Sequence, residues 1–236
     1  MNRQTVAGFV GFFVLGFLVS GLQIPDPTVD GPASGSAKIA AVSQSGVGAI
    51  GTADVAIRDG NGRTLVDSEP FVETDTQLSA RTAREVAEQL TGYSLEDKDV
   101  TYSYSISGSV IGGPSAGAAM TAATVAAIEN SSVKEDVAVT GTVRPDGYIG
   151  RVGSVPEKAQ AAGEAGLDTF YVPEGQETVT FREPVVEERD VAPGFTYRDV
   201  EYVTRTISLN NITERRYDME TEEVSTIEEL TEEIVE

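Results

Sequence analysis

The segment that most constrains the fold is a run of small, mostly apolar residues at positions 115–129, SAGAAMTAATVAAIE. Alanine, glycine and threonine fill most of its positions, so a helix formed here would be narrow and apolar on nearly all faces. Such a helix has no polar face to turn toward water, and its small side chains let neighbouring backbones approach closely. We therefore predict a helix over 115–129 that lies buried against other elements of one core.

Strands and helices alternate on both sides of this segment. Patterns of β-prone residues predict strands at 100–110, 137–143 and 168–173. Apolar residues at helical spacing predict helices over 80–90 and 155–165. This alternation indicates a mixed domain of the α/β or α+β class.

Short signals predict where several of these elements begin and end. Ser79 is expected to cap the helix over 80–90, and Gly92 is expected to stop it. The sequence GNG at Gly60–Gly62 predicts a hairpin turn between two strands. Residues 176–219 are charged and turn-rich, and they predict no firm element. A closing helix is indicated by apolar residues at helical spacing, namely Ile227, Leu230 and Ile234.

An apolar segment, VAGFVGFFVLGFLVSGLQI, occupies residues 6–24. About 18 or more such residues can span the hydrocarbon core of a bilayer as a helix. A secretory signal peptide is the alternative, but its apolar region is usually shorter and ends in a small-residue cleavage site that this segment lacks. We predict an uncleaved, single-pass anchor. Because Arg3 precedes it, the positive-inside rule places the remainder of the protein outside the cytoplasm.

These signals predict four parts. Residues 1–24 form the membrane anchor, or a signal peptide, and residues 25–36 form a linker rich in proline, glycine and serine. Residues 37–175 form the main domain. Residues 176–236 form a C-terminal extension that completes the domain.

The charge balance excludes some partners. The formal net charge is −21, and four lysines stand against 13 arginines. No basic cluster is present to neutralise phosphates, so neither nucleic acid nor an anionic membrane surface is expected as a partner. Acidic residues spread along a chain suit high salt, where screening limits self-repulsion. We predict a halophilic source; the alternative is an acidic surface whose function is binding, such as cation buffering at the cell surface.

Ser115 is the candidate nucleophile, because two glycines and a proline deliver it to the start of the buried helix. The chain contains no histidine and no cysteine, so a general base must come from Asp, Glu, Lys or Tyr. Lys158 is the best candidate, because small neighbours would let its helix pack tightly and burial would lower the pKa of its amine. The alternatives are a helix-capping serine and a solvated surface lysine.

Taken together, two segments resemble the proteolytic domain of the Lon protease family. They are GGPSAGAAM and DVAVTGTVRPDGYIGRVGSVPEKAQAAGEAGLDTFYVPE. The serine, threonine and lysine of the family's pattern correspond to Ser115, Thr140 and Lys158, separated by 25 and then 18 residues. The segment TDTQLSARTAREVAEQL is also similar to a helix of archaeal Lon proteins, and the whole resemblance covers residues 37–175.

The resemblance implies a Lon-type proteolytic fold with a Ser/Lys dyad. Ser115 would attack the scissile carbonyl, Lys158 would take its proton, and the Thr140 hydroxyl would hold the lysine amine in line. The neighbouring loop residues that would support the nucleophile are Gly113, Pro114 and Ala116.

The sequence has no GxxxxGK[ST] phosphate loop, so ATP-driven work is not expected, and neither a cofactor nor a metal is implied. The leading hypothesis is an archaeal, membrane-anchored, ATP-independent serine endopeptidase that hydrolyses peptides and unfolded proteins. The family implies a homo-oligomeric ring. The alternative is a catalytically inactive, Lon-like peptide-binding or assembly module. It is supported by Gly112, which stands where many Lon proteins carry an acidic residue.

Overall fold

The fold is seen in a computed structural model that describes residues 27–67, 71–106, 110–111, 113–192 and 195–236. Five helices lie in these residues: α1 (Thr74–Thr91), α2 (Gly117–Glu129), α3 (Val155–Glu164), α4 (Leu209–Tyr217) and α5 (Ile227–Ile234). The strands are β1 (Ala33–Val42), β2 (Gly48–Asp59), β3 (Thr64–Val66), β4 (Phe71–Val72), β5 (Lys98–Ser105), β6 (Val110–Ile111), β7 (Val137–Val139), β8 (Thr142–Val143), β9 (Ile149–Gly150), β10 (Thr169–Pro173), β11 (Thr178–Ala192), β12 (Phe195–Ser208) and β13 (Glu220–Val224).

A seven-stranded sheet in the order β13-β10-β7-β1-β2-β5-β3 organises the described residues. β1, β7, β10 and β13 run parallel, whereas β2 is antiparallel to both of its neighbours. The carboxyl ends of β7 and β10 therefore meet at one edge of the sheet. The mixed α/β class predicted from the sequence is confirmed.

Helices cover the sheet around β7 and β10 on both faces. Val139 and Tyr171 point into a core shared with α1, α2 and α5, while Ala138 and Phe170 point into a second core with α3 and α4. This alternation of neighbouring residues between the two cores is the expected period of a strand. The strands at the centre of the fold are therefore apolar on both faces.

The buried helix of small residues is confirmed as α2, although it begins at Gly117 rather than at residue 115. Twelve of its thirteen residues are buried. Its backbone lies against β1 so closely that a Cβ at Gly35 would stand 2.0 Å from the Ala123 carbonyl oxygen. The predicted strand over 137–143 is divided into β7 and β8, and Thr140 and Gly141 lie between them.

The predicted hairpin turn at Gly60–Gly62 is wrong. The chain does turn there, but β2 and β3 do not pair, because β5 lies between them. The reason is the Asp99 carboxylate at the start of β5, which accepts hydrogen bonds from the Asn61 and Arg63 N–H groups at 3.0 Å each. These bonds hold the loop across the N-terminal end of β5.

The predicted cap at Ser79 is also wrong. α1 begins at Thr74, so Ser79 lies inside the helix, while the stop at Gly92 is confirmed by its left-handed conformation with φ +70°. Asp75 supports the earlier start, because its carboxylate accepts the Thr76 N–H and lies in the first turn, where the helix dipole favours negative charge.

Residues 176–219, which predicted no firm element, contain a long antiparallel hairpin of β11 and β12 followed by α4. The closing helix is confirmed as α5, and Ile227, Leu230 and Ile234 are buried in the core beside α2. The chain end is tied to the far end of α2. The Ser132 N–H donates to the Glu236 carbonyl at 2.8 Å, and the Glu236 N–H donates to the Ser132 carbonyl at 2.9 Å.

The N-terminal predictions meet the structure only in part. Residues 33–36, expected to end the linker over 25–36, instead form the start of β1 and pair with β2. The predicted anchor at residues 6–24 lies outside the described residues. Within the described ranges, no helix is both long and apolar enough to cross a bilayer.

Candidate active site

Three connections meet at the edge of the sheet where β7 ends. Ser115 lies two residues before α2, Thr140 follows β7 directly, and Lys158 lies near the start of α3. The structure thus brings together residues that are 25 and 18 positions apart. Gly113, Pro114 and Ala116 flank the serine in the same loop, while Gly112 lies outside the described residues.

Backbone hydrogen bonds fix the position of Thr140 beside the serine loop. The Gly141 N–H donates to the Ser115 carbonyl at 2.9 Å, and the Ala118 N–H donates to the Gly141 carbonyl at 3.1 Å. Gly141 has no room for a side chain, because a Cβ would stand 2.5 Å from Ile149 Cγ2. The end of β7 and the start of α2 are therefore held in a fixed position relative to each other.

Lys158 is buried without a counter-ion. Its side chain is on the first turns of α3, the residue is 4% exposed, and no acidic side chain among the described residues forms an ion pair with it. Burial lowers the pKa of the amine to about 8, because an apolar environment disfavours the charged form. An amine with this pKa is neutral in about a tenth of molecules at pH 7 and in about half at pH 8, far more than a solvated lysine.

Thr140 links the amine to the serine loop. The Lys158 Nζ donates to Thr140 Oγ1 at 2.9 Å, and Thr140 Oγ1 donates in turn to the Ser115 carbonyl at 3.4 Å. Thr140 is fully buried, and its N–H donates to the Tyr171 carbonyl at 3.0 Å. Among the described residues, no hydrogen bond joins the Ser115 hydroxyl directly to the Lys158 amine, so the threonine is the observed connection between them.

The serine loop is also held from the opposite side by α1. The Thr76 hydroxyl donates to the Gly113 carbonyl at 3.0 Å, and the Ser79 hydroxyl donates to the Pro114 carbonyl at 3.4 Å. The sequence does not indicate these two roles, because its pattern predicts Ser79 as a helix cap and Thr76 before the start of the helix. The signal that could have found them is the presence of two hydroxyls three residues apart on one helix face.

Comparison with known proteins gives a family match whose range includes Ser115, Thr140 and Lys158. Residues 79–189 match the Lon protease (S16) C-terminal proteolytic domain. The archaeal Lon protease of Thermoplasma acidophilum is 32% identical over 116 residues, which are 49% of this chain and 18% of that protein. The Lon protease of Clostridium acetobutylicum is 42% identical over 65 residues, which are 28% of this chain and 8% of that protein.

A third relative, the Lon protease of Buchnera aphidicola, is 44% identical over 61 residues, which are 26% of this chain and 8% of that protein. The matched segments therefore make up less than a fifth of each of these three proteins. Over the matched segment, the resemblance to the Lon proteolytic domain is confirmed, and the matches support a serine peptidase.

Proposed function

We propose that this chain is a serine endopeptidase that hydrolyses peptide bonds in peptides and unfolded proteins, with Ser115 as nucleophile and Lys158 as general base. One observation carries the proposal: a buried lysine amine without a counter-ion is linked through Thr140 to the backbone of Ser115. Burial supplies the neutral amine that a lysine base needs, and the link keeps that amine near the nucleophile.

The reaction follows from these positions. As the Ser115 Oγ bonds to the scissile carbonyl carbon, its proton passes to the neutral Lys158 amine. The resulting ammonium then protonates the leaving amine as the C–N bond breaks, which leaves an ester on Ser115. A water molecule attacks this ester while Lys158 accepts its proton; the carboxylic acid product leaves, and the proton returns to the Ser115 oxygen. Thr140 keeps the amine in place throughout.

The developing negative charge on the carbonyl oxygen needs hydrogen-bond donors. The backbone N–H groups of Ser115 and Ala116 are suited to this role, since within the described residues they donate to no other group. They lie immediately before α2, whose dipole favours negative charge at its start. Losing one such donor typically costs about 2.7–4 kcal/mol of transition-state stabilisation.

No step in this reaction consumes a nucleotide. We therefore propose that hydrolysis is independent of ATP and is directed at segments that are already unfolded. The acidic composition supports operation at high salt in a halophilic archaeon. Assembly of a homo-oligomeric ring stays a prediction.

Variants of the dyad test the proposal. We expect Ser115→Ala and Lys158→Ala each to abolish cleavage of unfolded casein by the full-length chain in molar salt without ATP. The loss for the lysine variant is about 10²- to 10⁴-fold in kcat, because that is what a positioned general base contributes. Ser132→Ala and Lys134→Ala, which change the same residue types outside the site, should retain activity.

The opposite result has a defined meaning. If the wild-type chain binds peptides but cleaves none at any pH or salt concentration, the domain is a peptide-binding or assembly module. If Ser115→Ala cleaves casein as fast as wild type, another residue is the nucleophile. Circular dichroism of each variant confirms that the fold is retained.

We also propose that residues 6–24 anchor the chain in the cell membrane with the peptidase domain outside the cytoplasm. The length and apolarity of this segment support the proposal, together with Arg3 on its N-terminal side. Protease added to intact cells should then degrade the domain and spare a cytoplasmic marker protein. Full protection of the domain would reverse the orientation.

A further inference from the structure

Three consecutive carbonyl groups of the serine loop all accept hydrogen bonds from the interior of the domain. The Gly113 carbonyl accepts from the Thr76 hydroxyl. The Pro114 carbonyl accepts from the Gly117 N–H at 3.1 Å and from the Ser79 hydroxyl. The Ser115 carbonyl accepts from the Gly141 N–H and from Thr140. Every peptide plane that enters or leaves the nucleophile is thus held through its oxygen.

This arrangement determines where the N–H groups point. In a trans peptide the C=O and the following N–H lie in one plane and point in opposite directions. The oxygen of Pro114 is held inward, so the Ser115 N–H on the same plane points outward. By the same reasoning, the inward oxygen of Ser115 turns the Ala116 N–H outward. The N–H groups of Ser115 and Ala116 therefore both point away from the interior of the domain.

We propose that Thr76 and Ser79 are positioning residues that fix the loop carrying the Ser115 N–H, so that this donor, together with the Ala116 N–H whose plane Gly141 and Thr140 hold, meets the oxyanion. This inference rests on the proposed peptidase function and adds α1 to the machinery of the site. Ser79 holds the plane that carries the Ser115 N–H, while Thr76 holds the preceding plane, in which Gly113 has a left-handed φ of +84°. The peptide plane between Gly113 and Pro114 has no N–H group, because proline lacks one. Only its Gly113 oxygen can therefore form a hydrogen bond that holds this plane.

The packing of α1 makes these contacts stiff. Thr76 is fully buried and Ser79 is 6% exposed, so both hydroxyls are shielded from bulk water, which would compete for them. The start of α2 is pressed against Ser79, because a Cβ at Gly117 would stand 2.7 Å from the Ser79 Oγ and 2.8 Å from the Val143 nitrogen. α1 therefore acts as a fixed support for the oxyanion donors.

Removing the hydroxyls without changing side-chain volume tests the proposal. In the full-length chain, we expect Thr76→Val to lower kcat for casein-derived peptides roughly 10- to 100-fold and to leave KM within about two-fold. Ser79→Ala should act in the same direction but more weakly, because the Gly117 N–H still holds the Pro114 carbonyl. Thr76→Ser, which keeps the hydroxyl, should restore most of the rate.

A transition-state analogue separates positioning from general damage. A peptide boronic acid forms a tetrahedral adduct on the serine, so its affinity should fall in parallel with kcat in Thr76→Val. The matched control is Thr231→Val, which removes a buried hydroxyl bonded to the Ile227 carbonyl on α5. If Thr76→Val lowers thermal stability and kcat no more than Thr231→Val does, Thr76 has only a structural role and the inference fails.

A second measurement does not depend on catalysis. The amide NMR shifts of Ser115 and Ala116 should change in Thr76→Val, while the shifts of amides in the middle of α1 stay the same. If wild type hydrolyses nothing, the proposed function fails and this measurement still decides the positioning role. Unchanged shifts at both amides would overturn it.

Discussion

Two buried lysines in this chain have opposite electrostatic surroundings. Lys98 lies 2.8 Å from the Asp59 carboxylate, and this hydrogen bond raises the pKa of its amine. Among the residues that the structure describes, the Lys158 amine forms a hydrogen bond only with the neutral Thr140 hydroxyl, so burial acts unopposed and lowers its pKa. A lysine paired with a carboxylate is held as a cation and cannot accept a proton. The domain thus separates a structural lysine from one that suits acid–base chemistry.

The pKa of Lys158 fixes the direction of the pH dependence. Since the neutral amine is the base, kcat/KM for a peptide should rise with pH, pass its midpoint near the pKa of about 8, and level off about one unit above it. A solvated lysine would place this midpoint near 10.4. Hydrolysis of a fluorogenic peptide between pH 5 and 10, where the fold is intact, measures the profile.

The control for this profile is Lys158→Arg, which keeps a cation but cannot supply a neutral base, since arginine stays protonated. It should be inactive at every pH tested. A wild-type rate that is flat from pH 5 to 10 would contradict Lys158 as the base.

The residues of the site that belong to a sequence motif are predictable from the sequence. Ser115, Thr140 and Lys158 were predicted because residue types at fixed spacings suggested them, and the structure places all three in one cluster. Thr76 and Ser79 could not be predicted in the same way. Two hydroxyls three residues apart on one helix face mark them, but their partners are backbone carbonyls, which every residue carries, so the sequence does not show what these hydroxyls bind.

At the level of elements, β1 and α2 approach each other closely at Gly35. The Cβ position of Gly35 falls 2.0 Å from the Ala123 carbonyl oxygen and 3.3 Å from the Ala127 nitrogen. Both obstacles are backbone atoms, so they cannot move aside as a flexible side chain would. The small residues of α2 therefore matter because they permit direct contact between a helix backbone and a strand backbone.

A single methyl group tests this contact. Gly35→Ala should destabilise the domain by at least about 1–3 kcal/mol, because β1 and α2 must separate to admit the Cβ. Unfolding in denaturant, followed by circular dichroism, measures the change in free energy. Gly153→Ala is the control, since a Cβ there meets no atom within 4 Å. Equal stabilities of the two variants would show that the contact is not tight.

Long elements were predictable from the sequence, while pairings were not. α2, α3 and α5 were found because apolar spacing is a local property. The prediction of a β2–β3 hairpin is wrong because the turn is bound by Asp99, whose carboxylate accepts the N–H of Asn61, 38 residues earlier in the sequence. α1 was predicted to start too late, because its first turn, TDTQ, is polar and lacks the apolar spacing that identifies a helix. The contact that decides the hairpin joins residues that are distant in the sequence, whereas the start of α1 depends on a local polar turn that apolar spacing does not identify.

On the scale of the whole molecule, the β11–β12 hairpin stands apart from the seven-stranded sheet. It forms a separate two-stranded sheet, and most of its described side chains are exposed, including Tyr202 at 64%. Cross-strand ion pairs, such as Arg198 with Glu188 and Arg205 with Glu183, neutralise much of its charge. The sequence could not predict this hairpin, because both of its faces mix charged with apolar residues and no alternation marks a buried side.

The net charge of −21 also belongs to this scale. The base proposed for the reaction is the buried amine of Lys158, which the surrounding protein shields from dissolved ions. Surface repulsion, in contrast, is reduced by salt, since the Debye length falls to about 3 Å at 1 M. High salt should therefore affect the acidic exterior far more than the chemistry at Ser115.

The two backbone hydrogen bonds between Ser132 and Glu236 affect the order in which the domain can fold during synthesis. Chains emerge from the ribosome N-terminus first and fold as whole domains. Ser115 and Lys158 are translated well before β13, α5 and Glu236, which supply the last strand of the sheet, the closing helix and the partner of Ser132. A nascent chain is thus expected to leave Ser115, Thr140 and Lys158 apart until β13 and α5 have been synthesised and can complete the core around them.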